Sequence, residues 1–184
     1  MRLVILDRDG VINEDSDDYI KTPDEWRPIP GSLEAIARLT HAGLQVVVAT
    51  NQSGISRGLF NVDTLGRIHN RMLDEVHHRG GEIEAIFFCP HGPGDGCMCR
   101  KPHPGLLHDI ASRFKISLSG IYAVGDSLRD VEAARAAQAL PVLVRTGKGL
   151  RAIASGKGLS GVPVYDDLAA FADAFISHGI SGGP

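Results

Sequence analysis

Two aspartates two positions apart, Asp7 and Asp9, flank an arginine and lead into Gly10. Such a pair can carry out covalent phosphoryl transfer, one carboxylate attacking phosphorus to become an acyl phosphate. The other protonates the leaving oxygen and then deprotonates water, a double task that calls for a raised pKa. Three further segments supply what this chemistry still needs. Thr50-Asn51-Gln52-Ser53-Gly54 offers a hydroxyl and, in a glycine-containing turn, backbone N–H groups for phosphate oxygens. Lys101, within Arg100-Lys101-Pro102-His103-Pro104, offers a point charge. Gly125-Asp126-Ser127, with Asp130 one helical turn later, offers carboxylate oxygen, the donor that Mg²⁺ prefers. A divalent cation there would offset the repulsion between a phosphate and the aspartates.

Each segment alone has an ordinary explanation. Asp-x-Asp-Gly suits a solvated turn, Asp126 or Ser127 suits a helix N-cap, and an isolated lysine suits the surface. Their arrival in order, each at the mouth of a predicted element, is the argument. Phosphoryl transfer through an aspartyl intermediate uses all four.

A second cluster consumes every cysteine in the chain. Cys89-Pro90-His91, then five residues, then Cys97-Met98-Cys99 make a Cys₃His set, a normal tetrahedral complement for structural zinc. The spacing is tighter than a zinc-finger knuckle, so ligand content carries the reading. A closed four-ligand set leaves no position for water, which assigns a structural role: stiffening a glycine-rich loop that delivers Arg100 and Lys101. The other seven histidines, His77 and His78 among them, read as solvated or packed.

Positioning these groups falls to elements whose pattern is legible. Short apolar runs alternate with segments of helical period, the signature of an α/β fold with a mainly parallel sheet. Strands are predicted at Leu3–Leu6, Gln45–Ala49, Glu84–Phe88, Ile121–Val124, Pro141–Val144 and, more weakly, Val162–Tyr165. Leu33, Ile36, Ala37 and Thr40 follow helical spacing, as do Leu107, Ile110, Ala111 and Phe114. Gly43 and Gly80 mark helix ends, Pro104 suits a first helical turn, and a last helix runs from about Asp167 to Ser177. The tail from Ile180 to Pro184 is expected to fray. Ligands in such folds bind beyond the C-terminal strand ends, which is where the chemistry-bearing residues stand.

The 184 residues, 43% of them hydrophobic, suit one domain, 1–184, with a sizeable core. A net charge of −3 gives no electrostatic footprint for nucleic acid or an anionic membrane. Leu3-Val4-Ile5-Leu6 is far too short for a signal segment or a membrane span, so the expected location is cytoplasmic. The expected partner is a small phosphorylated molecule that meets locally placed cations on a monomer.

In its four motifs the chain resembles the haloacid dehalogenase superfamily of phosphatases, from about Arg2 to Arg145. The resemblance implies a three-layer Rossmann-like fold in which Asp7 is the nucleophile, Asp9 the acid and base, Thr50 the phosphate-binding hydroxyl and Lys101 the stabilising charge. It implies Mg²⁺ on the Asp7 and Asp126 carboxylates and the Asp9 backbone carbonyl, with Asp130 in support. Many members carry a separate cap domain. Here the intervals from Asp9 to Thr50 and from Thr50 to Lys101 are filled by predicted core elements and modest loops, so a capless member with a zinc-binding loop is expected. Cys-x-His…Cys-x-Cys followed by Arg-Lys-Pro is similar to a subgroup that acts on heptose bisphosphates and on histidinol phosphate. Leu6–Gly10, Thr50–Gly58 and Cys99–Gly105 favour the heptose branch, implying loss of the C7 phosphate of D-glycero-D-manno-heptose 1,7-bisphosphate; histidinol phosphate is the alternative. Arg100 is then expected to face the distal part of the substrate, the Asp15–Tyr19 loop the sugar, and Asn51, Gln52, Ser53 and Arg57 the bound ligand. A phospho-aspartate receiver domain shares several of these reagents, but it resembles this chain less well: receivers are shorter, lack a zinc loop and place their aspartate after a later strand.

Overall fold

The computed structural model describes residues 2–177. The stretch 180–184, expected to fray, lies outside the described residues. Six strands, β1 (Leu3–Leu6), β2 (Gln45–Asn51), β3 (Ala85–Cys89), β4 (Tyr122–Gly125), β5 (Leu140–Val144) and β6 (Val164–Tyr165), form one sheet in the order β3-β2-β1-β4-β5-β6. Every pairing is parallel. The helices are α1 (Ser32–His41), α2 (Val62–His78), α3 (Gly105–Phe114), α4 (Leu128–Ala136), α5 (Gly149–Ser155) and α6 (Leu168–Ser177).

Side chains alternate across a strand, and here both faces are apolar, as a parallel sheet covered on two sides requires. Val4, Leu6, Val46, Val48 and Val124 meet Leu33 and Ile36 of α1, Ile68 and Met72 of α2 and Phe171 of α6. Leu3, Ile5, Val47 and Ala49 meet Leu106, Leu107 and Ile110 of α3 and Ala134 of α4 on the opposite face. A smaller cluster of Val131, Leu143 and Val162 packs against Ala152 and Ile153 of α5. The result is three layers. α1, α2, β3 and their loops occupy the intervals in which a cap domain would be inserted, and no helix among the described residues is long and apolar enough to cross a membrane.

The boundaries shift in instructive ways. β2 continues through Thr50 and Asn51, which pair with Phe88 and Cys89, so Thr50 lies within the end of the strand instead of following it. β3 and β4 each begin and end one residue later than expected, on Cys89 and Gly125. β6 has two residues instead of four, because Val162 is drawn into a turn (its N–H reaches Leu159 O at 3.0 Å) and Pro163 has no N–H for the ladder. Pro104 is the N-cap of α3 and not part of its first turn. Gly43 and Gly80 directly follow the caps of α1 and α2, as expected.

Strand order reverses between β1 and β4, and the crevice at their C-terminal ends is the binding position of open α/β sheets. Asp7 follows β1, Asp126 follows β4 and Thr50 is the last residue but one of β2. The face that carries α1 and α2 is completed by α6, whose Phe171 and Phe175 rings meet Tyr122 edge-on at 5.9 and 5.5 Å between centroids. Phe171→Ala should therefore lower unfolding free energy by about 3–5 kcal/mol in urea titrations, the range for deleting a buried aromatic ring.

Candidate active site

Asp7, Asp9, Thr50, Lys101 and Asp126 line one cavity of about 290 Å³, together with Asn51, Gln52, Ser53, Asp15, Tyr19, Arg57, Arg100 and Asp130. Every site residue read from the sequence outside the cysteine cluster thus borders the same space. The cavity also exposes Arg129 and Lys148, which the sequence reading did not single out.

Lys101 is the hub. The residue is only 4% exposed, and its ammonium donates to Ala49 O at 2.8 Å and to Asp130 Oδ1 at 2.5 Å and lies 3.1 Å from Asp7 Oδ1. Burial opposes its charge, but Asp130 and Asp7 outweigh burial and hold it protonated well above the usual lysine range. Asp130 is spoken for on both oxygens, since its Oδ2 accepts the N–H and hydroxyl of Ser127 in a capping box that starts α4. Burial would raise the Asp130 carboxyl, yet Lys101 and Ser127 bring it below the usual range.

The remaining carboxylates are less well compensated. Burial, joined by the charges of Asp130 and Asp9, pushes Asp7 up to about 7 against the pull of Lys101. Burial, joined by Asp130 and Asp7, lifts Asp126 to about 8 against a hydrogen bond from Lys148 N–H at 2.7 Å. Carboxylate oxygens of Asp7, Asp126 and Asp130 all lie within 4.8 Å of one another. Hard oxygen donors crowded in this way suit Mg²⁺. The backbone leaves them room through glycine: a Cβ on Gly10 (φ 81°) or on Gly147 (φ 55°) would meet Asp126 Oδ2 at 2.0 or 2.1 Å.

Asp9 departs from expectation. The acid and base role calls for a raised pKa, and the structure gives a lowered one. Burial alone would raise it, but the Arg8 guanidinium and hydrogen bonds from Asn13 and Gln52 prevail. Gln52 Nε2 bridges Asp9 Oδ2 at 2.9 Å and Thr50 Oγ1 at 3.0 Å. Asn51 exchanges two 3.0 Å hydrogen bonds with the backbone of Lys101. Both amides, expected to face the ligand, are thus spent on holding catalytic candidates in place. His69, one of the histidines read as packed, is neutral: burial and the Arg8 charge bring it down to about 3.

The cysteine cluster stands at the end of β3. Cys89 Sγ lies 3.6 Å from His91 Nδ1, 3.7 Å from Cys97 Sγ and 3.2 Å from Cys99 Sγ, and His91 Nδ1 lies 3.3 Å from Cys99 Sγ. Zinc bonds of 2.0–2.3 Å give tetrahedral edges of about 3.3–3.8 Å, so the donor set is spaced for that ion. The loop presents Arg100, which donates to His91 O at 3.2 Å, and Lys101 immediately after the last ligand.

Comparisons agree with this geometry. Residues 98–171 match a family model described as HAD-hydrolase-like. The D-glycero-beta-D-manno-heptose-1,7-bisphosphate 7-phosphatases of Pseudomonas aeruginosa and Bordetella bronchiseptica are 58% and 55% identical, covering 95% and 97% of this chain and 97% and 99% of theirs. The crystal structure of D,D-heptose 1,7-bisphosphate phosphatase from B. bronchiseptica, complexed with magnesium and phosphate, superposes with a TM-score of 0.95 at 54% identity, covering 97% of this chain and all of that one. The chain belongs to the heptose-bisphosphate phosphatase family of HAD-like hydrolases.

For a heptose-bisphosphate phosphatase, the residues missed by sequence reading are informative. Lys148 binds twice, through its N–H to Asp126 and through Nζ to Asp15 Oδ2 at 2.7 Å, joining the metal-side carboxylate to the Asp15–Tyr19 loop. Arg57 stacks over the Tyr19 ring at 5.8 Å. The position of Lys148 just after β5 was the available signal, since strand ends are where this fold places its chemistry.

Two outcomes follow for the metals. Asp7 and Asp126 bind protons in the folded state at pH values where the unfolded chain has lost them, so without metal, stability is highest below pH 4–5 on their account and falls as pH rises toward 8. The slope is on the order of 1 kcal/mol per pH unit for each group. Thermal melts of metal-free protein should show Tm falling between pH 5.5 and 8, and saturating Mg²⁺, which needs the ionised carboxylates, should flatten that fall. Removing zinc with a strong chelator, or Cys97→Ser, should lower Tm by several degrees and reduce activity through the Lys101 loop, as melts and zinc analysis by mass spectrometry would record.

Proposed function

We propose that this chain hydrolyses the C7 phosphate of D-glycero-β-D-manno-heptose 1,7-bisphosphate in a Mg²⁺-dependent reaction that passes through phospho-Asp7. The observation that carries the reading is the convergence of Asp7, Thr50, Lys101 and Asp126 on one polar cavity, in a chain whose relatives at 55–58% identity bear that enzyme's name. Those names also favour the β anomer, and they favour the heptose over histidinol phosphate. The nucleophile follows the first strand, unlike that of a receiver domain.

In this reading Mg²⁺, held by the Asp7 and Asp126 carboxylates and the Asp9 backbone carbonyl, supplies positive charge against the phosphoryl oxygens. Asp130, engaged on both oxygens, supports the site indirectly. Asp7 attacks in line while Lys101 and the Thr50 hydroxyl hold the phosphoryl group. Asp9 protonates the departing sugar oxygen and then takes a proton from water as phospho-Asp7 is hydrolysed. The arriving phosphate dianion opposes Arg8 and moves the Asp9 carboxyl upward, toward its acid form; giving that proton to the departing sugar oxygen leaves the carboxylate that then serves as base. The cations Arg57, Arg100, Arg129 and Lys148 on the cavity rim suit the phosphate at C1. The proposed setting is a monomer in the cytoplasm, a reducing compartment that keeps three thiols available to a metal.

Phosphate release with Mg²⁺ should be faster, in kcat/KM, on the β-heptose bisphosphate than on its α anomer or on histidinol phosphate. Asp7→Asn should lose at least about 10³-fold in kcat with its fold retained. Preference for histidinol phosphate would overturn the substrate, and an active Asp7→Asn protein would overturn the mechanism.

A further inference from the structure

Arg8 lies between the two aspartates that do the chemistry, but its side chain has no exposed surface and it does not border the phosphate cavity. It turns inward and grips Asp9. Nε donates to Asp9 Oδ1 at 3.0 Å, and Nη2 reaches Oδ1 at 2.8 Å and Oδ2 at 3.0 Å. Asn13, also at 0% exposure, adds Nδ2 to Oδ1 at 2.9 Å and fixes its own amide on Glu14 O at 2.9 Å. Oδ1 therefore accepts three donors, more than its two lone pairs serve well. Oδ2 shares Nη2 and, among the described residues, otherwise meets only Gln52, on the side of Thr50.

Folding alone gives a poor account of this arrangement. A guanidinium taken wholly out of water is expensive, and a buried ion pair is commonly no better for stability than apolar side chains of the same volume. Arg8 Nη1 even lacks a hydrogen-bond partner among the described residues. The bidentate fork instead does what an arginine does better than a lysine: it fixes a carboxylate in one plane.

We propose that Arg8, seconded by Asn13, is a positioning residue for acid–base transfer, locking Asp9 through Oδ1 so that Oδ2 alone exchanges the proton. The proposal rests on the phosphatase reading above. In the first half, the Oδ2 proton passes to the sugar oxygen as its bond to phosphorus breaks and the Asp7–phosphorus bond forms. In the second, water gives a proton to Oδ2 as its oxygen bonds to phosphorus and the Asp7–phosphorus bond breaks.

The test is dependence on the leaving group. p-Nitrophenolate departs without needing a proton, whereas a sugar alkoxide needs one. In single-turnover experiments with Mg²⁺, Arg8→Met should slow cleavage of the heptose bisphosphate by about 10²-fold or more, the scale of general acid catalysis. Its first-turnover release of p-nitrophenol from p-nitrophenyl phosphate should stay within about threefold of wild type, with KM for the sugar little changed. Arg8→Lys, which cannot form the fork, should restore only part of the loss, and Asn13→Ala should show the same selectivity at about tenfold. Equal losses on both substrates would reduce Arg8 to a structural residue, and no loss on either would remove it from the reaction; both overturn the proposal. If Arg8→Met fails to fold, Asn13→Ala decides by the same comparison. If the wild type spares the heptose bisphosphate but cleaves another alkyl phosphate, the substrate reading has failed, and the comparison is run on that ester.

Discussion

Three carboxylates, those of Asp7, Asp126 and Asp130, share a buried space with one ammonium, that of Lys101. Lys101 and Ser127 between them settle Asp130, Lys101 settles Asp7 in part, and among the described residues Asp126 accepts only a backbone N–H. The excess of negative charge is the constraint under which the site works. Crowding of like charge is costly, a phosphate dianion would add to the repulsion, and both explain why a divalent cation belongs there. The glycines at 10 and 147 belong to the same account, because they let the backbone close around Asp126 where any side chain would collide.

Keeping Lys101 in that position requires a rigid approach, and the loop that brings it is poor in intrinsic structure. Residues 92–96 contain three glycines and one proline. The Cys₃His cluster ties both ends of this stretch to the end of β3, where Cys89 is buried in the apolar layer beneath α3. Asn51 then clasps the Lys101 backbone from β2. A metal-ready staple and a two-armed amide thus do for one lysine what a helix or a strand does for the other catalytic candidates.

Asp7, Thr50 and Asp126 were legible in the sequence because a parallel sheet has one functional edge, and short apolar runs announce where each strand reaches it. The zinc set was legible from ligand content. What the sequence did not disclose is orientation. Asn51 and Gln52 are chemically suited to meet a phosphate, but each finds a nearer partner in a segment remote along the chain or across the strand end. The sign of the Asp9 shift was misjudged for a related reason. Neighbours in a strand face opposite sides, but beyond Leu6 the chain turns, and Arg8 folds back alongside the residue it adjoins. Lys148 escaped notice because its decisive contact is a main-chain N–H, which any residue type could supply.

The braces of the cavity are widely separated along the polypeptide: Asp7 and Lys148 stand 141 positions apart, and between them the chain crosses the sheet from its centre to one edge, back, and outward again. Contacts of such long range form late in folding, because loop closure must precede the packing that rewards it. Partly folded chains therefore hold scattered acids and bases that cannot act together. Recovery of turnover after denaturation would report on completion of the whole sheet, and not on the docking of any single element.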